Sequence, residues 1–181
     1  MISTRKELKE FLRYEKTLYF ESSKEYLEGA ILRNVNYLIY RFLVHLRKAE
    51  YHTSHSSHLF HKFLMALHLY LKNRLGIVLG FQIPPGCFDK GLKIYHLGSV
   101  IVNSQARIGS NCQIAGDVCI GSKGPGQAPH IGKNIFIGWG AAIIGDIYIA
   151  DDICVGAGAV VVKSFLTPGV RIAGMPAKEL Q

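Results

Sequence analysis

Residues 131–161 read IGKNIFIGWGAAIIGDIYIADDICVGAGAVV. An aliphatic residue returns at every sixth place: Ile131, Ile137, Ile143, Ile149, Val155 and Val161. Towards the N-terminus the same count slips once and resumes as Ile120, Ile114, Ile108 and Val102. A second small or apolar series lies four residues after these, at Ala106, Cys112, Val118, Ile135, Ala141, Ile147, Ile153 and Ala159. A helix repeats every ~3.6 residues and a half-buried strand about every two, so neither produces this pattern. Short strands joined by tight turns, stacked coil upon coil, do produce it. Each aliphatic side chain then points into a narrow interior. The residue after it is often glycine, as in Ile108-Gly109, Ile137-Gly138 and Val155-Gly156, and is expected to permit the turn.

Glycine also marks a boundary. Of the 19 glycines, 3 precede residue 81 and 16 follow it. The first part reads helical. STRKELKEFLRYEKTLYF opens on Ser3 and Thr4 as candidate caps, and Leu8, Phe11 and Leu12 fall at helical spacing. EYLEGAILRNVNYLIYRFLVHLRKAEY carries one continuous helical stripe from Leu27 to Leu46. HLFHKFLMALHLYLKNRLG is a third helix, with Gly76 as its expected stop. The expected organisation is an α-helical domain over 1–80, the coil over 81–166, and a C-terminal tail over 167–181.

The 181 residues are 49% hydrophobic and 19% charged, the composition of a globular chain long enough to bury a core. The net charge is +8, and residues 1–80 carry most of it, with 13 Lys and Arg against 7 Asp and Glu. These charges interleave with Glu and Tyr, so a solvated helical face is expected and no nucleic-acid partner; a weak membrane-surface association is compatible with the bias. Cys87, Cys112, Cys119 and Cys154 show no C-x-x-C spacing. The N-terminus is charged, and Lys72 and Arg74 interrupt the most apolar stretch, so a cytoplasmic location is expected. His52, His55, His58 and His61 recur at spacing three without an interleaved acid or cysteine, and no metal is expected there.

Counting six back from Val102 reaches His96, where the pattern puts an aliphatic side chain. A polar ring in an interior register is unfavourable unless partnered. The stretches IYHLGSVIVNSQARIGSNC, IGDIYIADDICVGAGAVVVKSF and PGVRIAGMPAKEL resemble the hexapeptide-repeat acyltransferases, whose fold is a left-handed parallel β-helix. Within that family the likeness is to the serine O-acetyltransferases, and more closely to relatives that acetylate bacterial surface polysaccharides. The resemblance implies a helical segment followed by a left-handed β-helix, acetyl-CoA as acyl donor, no metal, and a homotrimer, with pairing of trimers left open. It implies His96 as the general base. Removing a hydroxyl proton as the oxygen attacks a thioester suits an imidazole, and such a base contributes about 10²–10⁴-fold.

The resemblance further implies a coenzyme A groove lined by Gly121, Ser122, Trp139, Gly140, Ala157, Val162, Lys163, Pro176 and Lys178. Tyr95, Gln127 and His130 are implied to lie next to the acceptor. Departures matter here. Tyr95 stands where an acid would hold the amino group of serine. Gln127 and Ala128 stand where an Arg-His pair would hold its carboxylate. From those losses the expected acceptor is a sugar of a surface polysaccharide, with L-serine as the alternative. The glycine- and proline-rich segment Gly121–His130 is expected to be a loop near the acceptor. A zinc hydratase on this fold needs three histidines, and the repeat offers only His96 and His130. A non-catalytic scaffold is the remaining rival.

Overall fold

The computed structural model describes residues 2–180. The chain divides into two compact units, Met1–Phe81 and Gln82–Gln181. Among its described residues the first holds four helices: α1 (Arg5–Tyr19), α2 (Ser23–Leu32), α3 (Val35–Ser54) and α4 (Leu59–Leu79). Thr4 caps α1 in a reciprocal box, its hydroxyl accepting from the Glu7 amide while the Glu7 carboxylate accepts from the Thr4 amide.

The continuous stripe expected from Leu27 to Leu46 is broken. Arg33 turns left-handed at φ 51° and ends α2, and the Asn34 side chain accepts from the Tyr37 amide to start α3. Gly76 does not stop the last helix, which runs on to Leu79 and ends at Gly80 with φ 84°. Gly76 is glycine for space: a Cβ there would lie 2.5 Å from the Phe81 carbonyl oxygen.

The interior of this unit is not purely apolar. The Arg47 guanidinium is fully buried and donates to Glu15 at 2.7 Å and to Glu50 at 3.0 Å. Along α3 and α4 a seam of imidazoles forms. His45 and His68 approach with Nδ1 atoms 3.0 Å apart, and His52 and His61 with Nδ1 atoms 2.9 Å apart. His55 stacks on His61 at 5.1 Å. Among the described residues no group of three or more His, Cys, Asp or Glu is arranged to hold a metal ion.

The second unit is a three-faced coil of short strands: β1 (Phe81–Gln82), β2 (Lys93–Ile94), β3 (Val100–Val102), β4 (Arg107–Ile108), β5 (Gln113–Ile114), β6 (Val118–Gly121), β7 (His130–Ile131), β8 (Phe136–Ile137), β9 (Ala142–Ile144), β10 (Tyr148–Ile149), β11 (Cys154–Val155), β12 (Val160–Val161), β13 (Arg171–Ala173) and β14 (Lys178–Glu179). One face runs β1-β3-β6-β9-β12, the second β4-β7-β10, and the third β2-β5-β8-β11-β13-β14. From β2 to β13 the pairing is parallel, and β13 pairs with β14 antiparallel. Three interior columns result: Val102-Ile120-Ile143-Val161, Ile108-Ile131-Ile149, and Ile94-Ile114-Ile137-Val155-Ile172. All are buried. The six-residue period is therefore one face of a coil. The slip is a loop: Ile108 pairs with Ile131 across 23 residues, where Ile131 pairs with Ile149 across 18.

The glycines after the aliphatic positions answer to a different need from the one expected. Gly109 has no positive φ, whereas a Cβ on it would stand 2.8 Å from the Gly132 carbonyl carbon and oxygen in the next coil. The corners that do turn left-handed include Asn111, Asn134 and Asp152, with φ of 59°, 56° and 61°. Their side chains form a ladder, Asn111 donating to Asn134 at 3.0 Å and Asn134 to Asp152 at 2.9 Å.

Candidate active site

His96 does not occupy the interior register. That place belongs to Ile94, which pairs with Ile114 across 20 residues, two more than a regular coil. The two extra residues enlarge the corner between β2 and β3, and His96 sits exposed on it. The sequence count failed because the insertion leaves Val102 in phase and shifts only what precedes it. Burial is thus no obstacle to this imidazole. The enlarged corner is tied back by Asp117, whose carboxylate accepts from the Ser99 amide at 2.6 Å. Gly98, at φ 138°, leaves room for that carboxylate: a Cβ would stand 2.5 Å from Asp117 Oδ1.

Two aromatic rings flank His96. The Trp139 ring centroid lies 5.7 Å away at an interplanar angle of 57°, and the Tyr95 centroid lies 6.5 Å away. Trp139 is 43% exposed and Tyr95 40%. The Tyr95 hydroxyl donates to Gln113 Oε1 at 2.6 Å. Among the described residues His96 has no hydrogen-bonded carboxylate.

The indole rests over Gly116. A Cβ at Gly116 would stand 2.7 Å from Trp139 Cε3, so only glycine leaves the ring where it is. This coupling of Gly116 with Trp139, 23 residues apart, was not legible as a motif; the residues sit one coil apart at the same corner, as the bond from the Gly140 amide to the Gly116 carbonyl at 3.0 Å shows.

The other expected residues fall on two corners. Trp139, Gly140 and Ala157 follow the third face, at the corner of His96, and the Gly158 amide reaches the Trp139 carbonyl at 2.7 Å. Gly121, Ser122, Val162 and Lys163 leave the first face at the opposite corner. There Ser122 Oγ accepts from Asn103 Nδ2 at 3.0 Å, and the Lys163 ammonium stands 5.3 Å from the Phe165 ring. Pro176 and Lys178 are exposed in the final hairpin, where β13 still pairs with the coil. One copy of the chain does not gather these residues into a single groove.

A loop interrupts the coil as expected, but it is shorter than the segment 121–130, whose first residue ends β6 and whose last begins β7. Its Gly126 amide is held by Gln105 Oε1 at 2.9 Å, Gln127 is exposed, and Ala128 is buried. His130 is on the second face, stacked on Tyr148 at 5.0 Å and 10°, and so belongs to another side of the coil from the exposed corner of His96. The four cysteines are free. No described helix is long and apolar enough to cross a membrane.

No protein-family profile matches the chain. Over 117 residues it is 32% identical to a serine acetyltransferase of Buchnera aphidicola subsp. Schizaphis graminum, a match covering 62% of this chain and 44% of that protein. The chain thus spans under half the length of this curated relative. Its structure is similar to the soybean serine acetyltransferase apoenzyme, with 26% identity and a TM-score of 0.72 over 96% of this chain and 69% of that one. It is also similar to the Neisseria gonorrhoeae serine acetyltransferase in complex with serine, with 25% identity and a TM-score of 0.69 over 96% and 69%. The fold is that of the serine acetyltransferases: N-terminal helices followed by a left-handed parallel β-helix. These likenesses overturn the expectation of a polysaccharide-sugar acceptor and of a closer kinship with polysaccharide acetyltransferases. The proteins it resembles in sequence and structure are serine acetyltransferases, the alternative reading.

Proposed function

We propose that the chain is an acetyl-CoA-dependent O-acetyltransferase that uses L-serine as acceptor and His96 as general base. The observation that carries this is the exposed imidazole on an enlarged coil corner, in a chain similar over 117 residues to a serine acetyltransferase. His96 takes the acceptor's hydroxyl proton while the oxygen forms a bond to the thioester carbonyl carbon. The carbon–sulfur bond then breaks, and the proton passes from the imidazolium to the departing thiolate. Tyr95 and Gln127 present a phenol and an amide near the acceptor in place of an acid and an arginine, so neutral hydrogen-bonding groups meet the charges of serine.

The two-corner placement of the residues assigned to coenzyme A supports a groove between copies. His96, Trp139, Gly140 and Ala157 come from one copy, and Gly121, Ser122, Val162 and Lys163 from its neighbour, in a C3 homotrimer whose C-terminal hairpin adds Pro176 and Lys178. A monomeric mass in light scattering would remove that groove.

The test is transfer from acetyl-CoA to L-serine, read as O-acetylserine by mass spectrometry. His96→Ala and His96→Asn should each lower turnover by at least about 10²-fold, the usual contribution of a general base, with coenzyme A binding retained. Unchanged turnover per folded protein would overturn the role of His96. Acetylation of another alcohol in preference to serine would overturn the acceptor.

A further inference from the structure

We infer that Trp139, seated by Gly116, is the positioning residue for the His96 imidazole and carries part of the role that a carboxylate usually fills beside a catalytic base. The inference rests on the reading of His96 as the base. A carboxylate behind an imidazole does two things: it fixes the ring, and it stabilises the imidazolium that forms when the base takes a proton. No such carboxylate hydrogen-bonds His96 among the described residues. The ring instead has Trp139 at 5.7 Å and Tyr95 at 6.5 Å.

Both separations fall in the range of interacting aromatic pairs, about 4.5–7 Å, and the indole is within the ~6 Å over which a ring face attracts a cation. Trp is the strongest such partner. Tyr95 is fixed from its far end by the 2.6 Å bond to Gln113, so its ring is a rigid second wall. Trp139 is fixed by the fold: its backbone carbonyl accepts from Gly158 at 2.7 Å, and the missing side chain of Gly116 makes the recess its six-membered ring fills. The aromatic pair therefore packs the imidazole from two sides, and the indole stands near enough to stabilise the positive charge that forms as the base takes a proton. This gives Trp139 a role in proton transfer besides its place in the groove.

Three variants test this. Trp139→Ala removes the indole. Trp139→Phe keeps a ring face. Gly116→Ala leaves Trp139 in the chain but drives a methyl group into the indole's place. Trp139→Ala should lower kcat by about threefold to thirtyfold with little change in the KM for serine, and should move the acid limb of the pH–rate profile about half a unit to lower pH. Gly116→Ala should move both in the same direction, and Trp139→Phe should restore most of the loss. The NMR titration midpoint of the His96 ring, identified by its absence in His96→Ala, reads the same contact without requiring turnover. It should also move to lower pH in Trp139→Ala and Gly116→Ala. A midpoint and an acid limb that stay at the wild-type position in both variants overturn the inference. A moved midpoint in a protein that acetylates nothing upholds the contact and overturns the proposed function instead.

Discussion

The helical unit buries Arg47 between Glu15 and Glu50 and lines its α3–α4 seam with histidines, whereas the coil unit fills its three columns with Val and Ile. The difference follows from geometry. Helices meet along wide, irregular seams, and a long polar side chain can find partners on either side. A coil of two- to four-residue strands leaves an interior too narrow for a charged group and its counter-ion. Polar residues of the coil accordingly gather at corners, as in the Asn111-Asn134-Asp152 ladder. The lesson is that the two units should respond differently to loss of a charge, to an added methyl group and to acid.

The largest effect is expected in the helical unit. Glu15→Ala leaves the buried Arg47 paired with Glu50 alone, and should lower stability by about 3–5 kcal/mol, because the buried guanidinium N–H groups that donate to Glu15 lose their acceptor away from water. Glu28→Ala breaks the exposed pair with Lys24, 3.8 Å apart, and should change stability by no more than about 0.5 kcal/mol. Urea unfolding followed by circular dichroism at the helical band measures both. Equal effects would erase the contrast between buried and exposed charge.

A smaller effect probes the coil. Gly109→Ala puts a methyl group against the backbone of Gly132 and Lys133, which cannot yield without separating two coils. It should cost about 1–3 kcal/mol, the usual penalty of overpacking, and lower the melting temperature of the strand signal. A wild-type melting temperature would mean that the coils part easily and that glycine serves the turn after all.

The smallest effect is that of mild acid on the histidine seam. Burial, then the neighbouring His68, Arg41 and Lys48 charges, hold His45 down at about 4, and burial with Lys48 and His52 does the same for His68. His52 is lowered by burial, by His61 and His55, and by Lys48 and Arg5. The unfolded chain therefore binds more protons than the folded one between about pH 6.5 and 4. The stabilisation is complete above the unfolded value and is lost as pH falls through that window. The helical signal should melt at lower temperature at pH 5 than at pH 7.5, and His45→Asn with His68→Asn should reduce the difference. The Arg47 network is common to both proteins and cancels in the comparison. A slope unchanged by the double substitution would show that the seam does not sense acid.

Much of this was legible from residues alone, and the failures are specific. The columns from Val102 to Val161 were read correctly because each coil repeats the same environment, so a local count reports a global contact. The capping box at Thr4 and Glu7 is visible because both partners lie within one turn. The break at Arg33-Asn34 was missed because the apolar stripe runs through it without a gap, and only the left-handed turn at Arg33 reveals it. His96 was placed in the interior because a two-residue insertion upstream of Val102 leaves no trace in the period. The sugar acceptor was inferred from what Tyr95, Gln127 and Ala128 lack. The relatives and solved structures the chain is similar to are serine acetyltransferases, and that likeness points away from a sugar.

By itself the sequence determined the coil, its interior residues and the loop that interrupts it, because period and burial are the same fact in a repeating structure. It also singled out His96. Only the tertiary structure decided that this imidazole is exposed, that Trp139 lies beside it in a recess left by Gly116, and that Glu15 meets Arg47 across 32 residues. Those contacts join positions with no fixed spacing. They depend on where whole coils and helices come to rest, and a one-dimensional pattern holds no record of that.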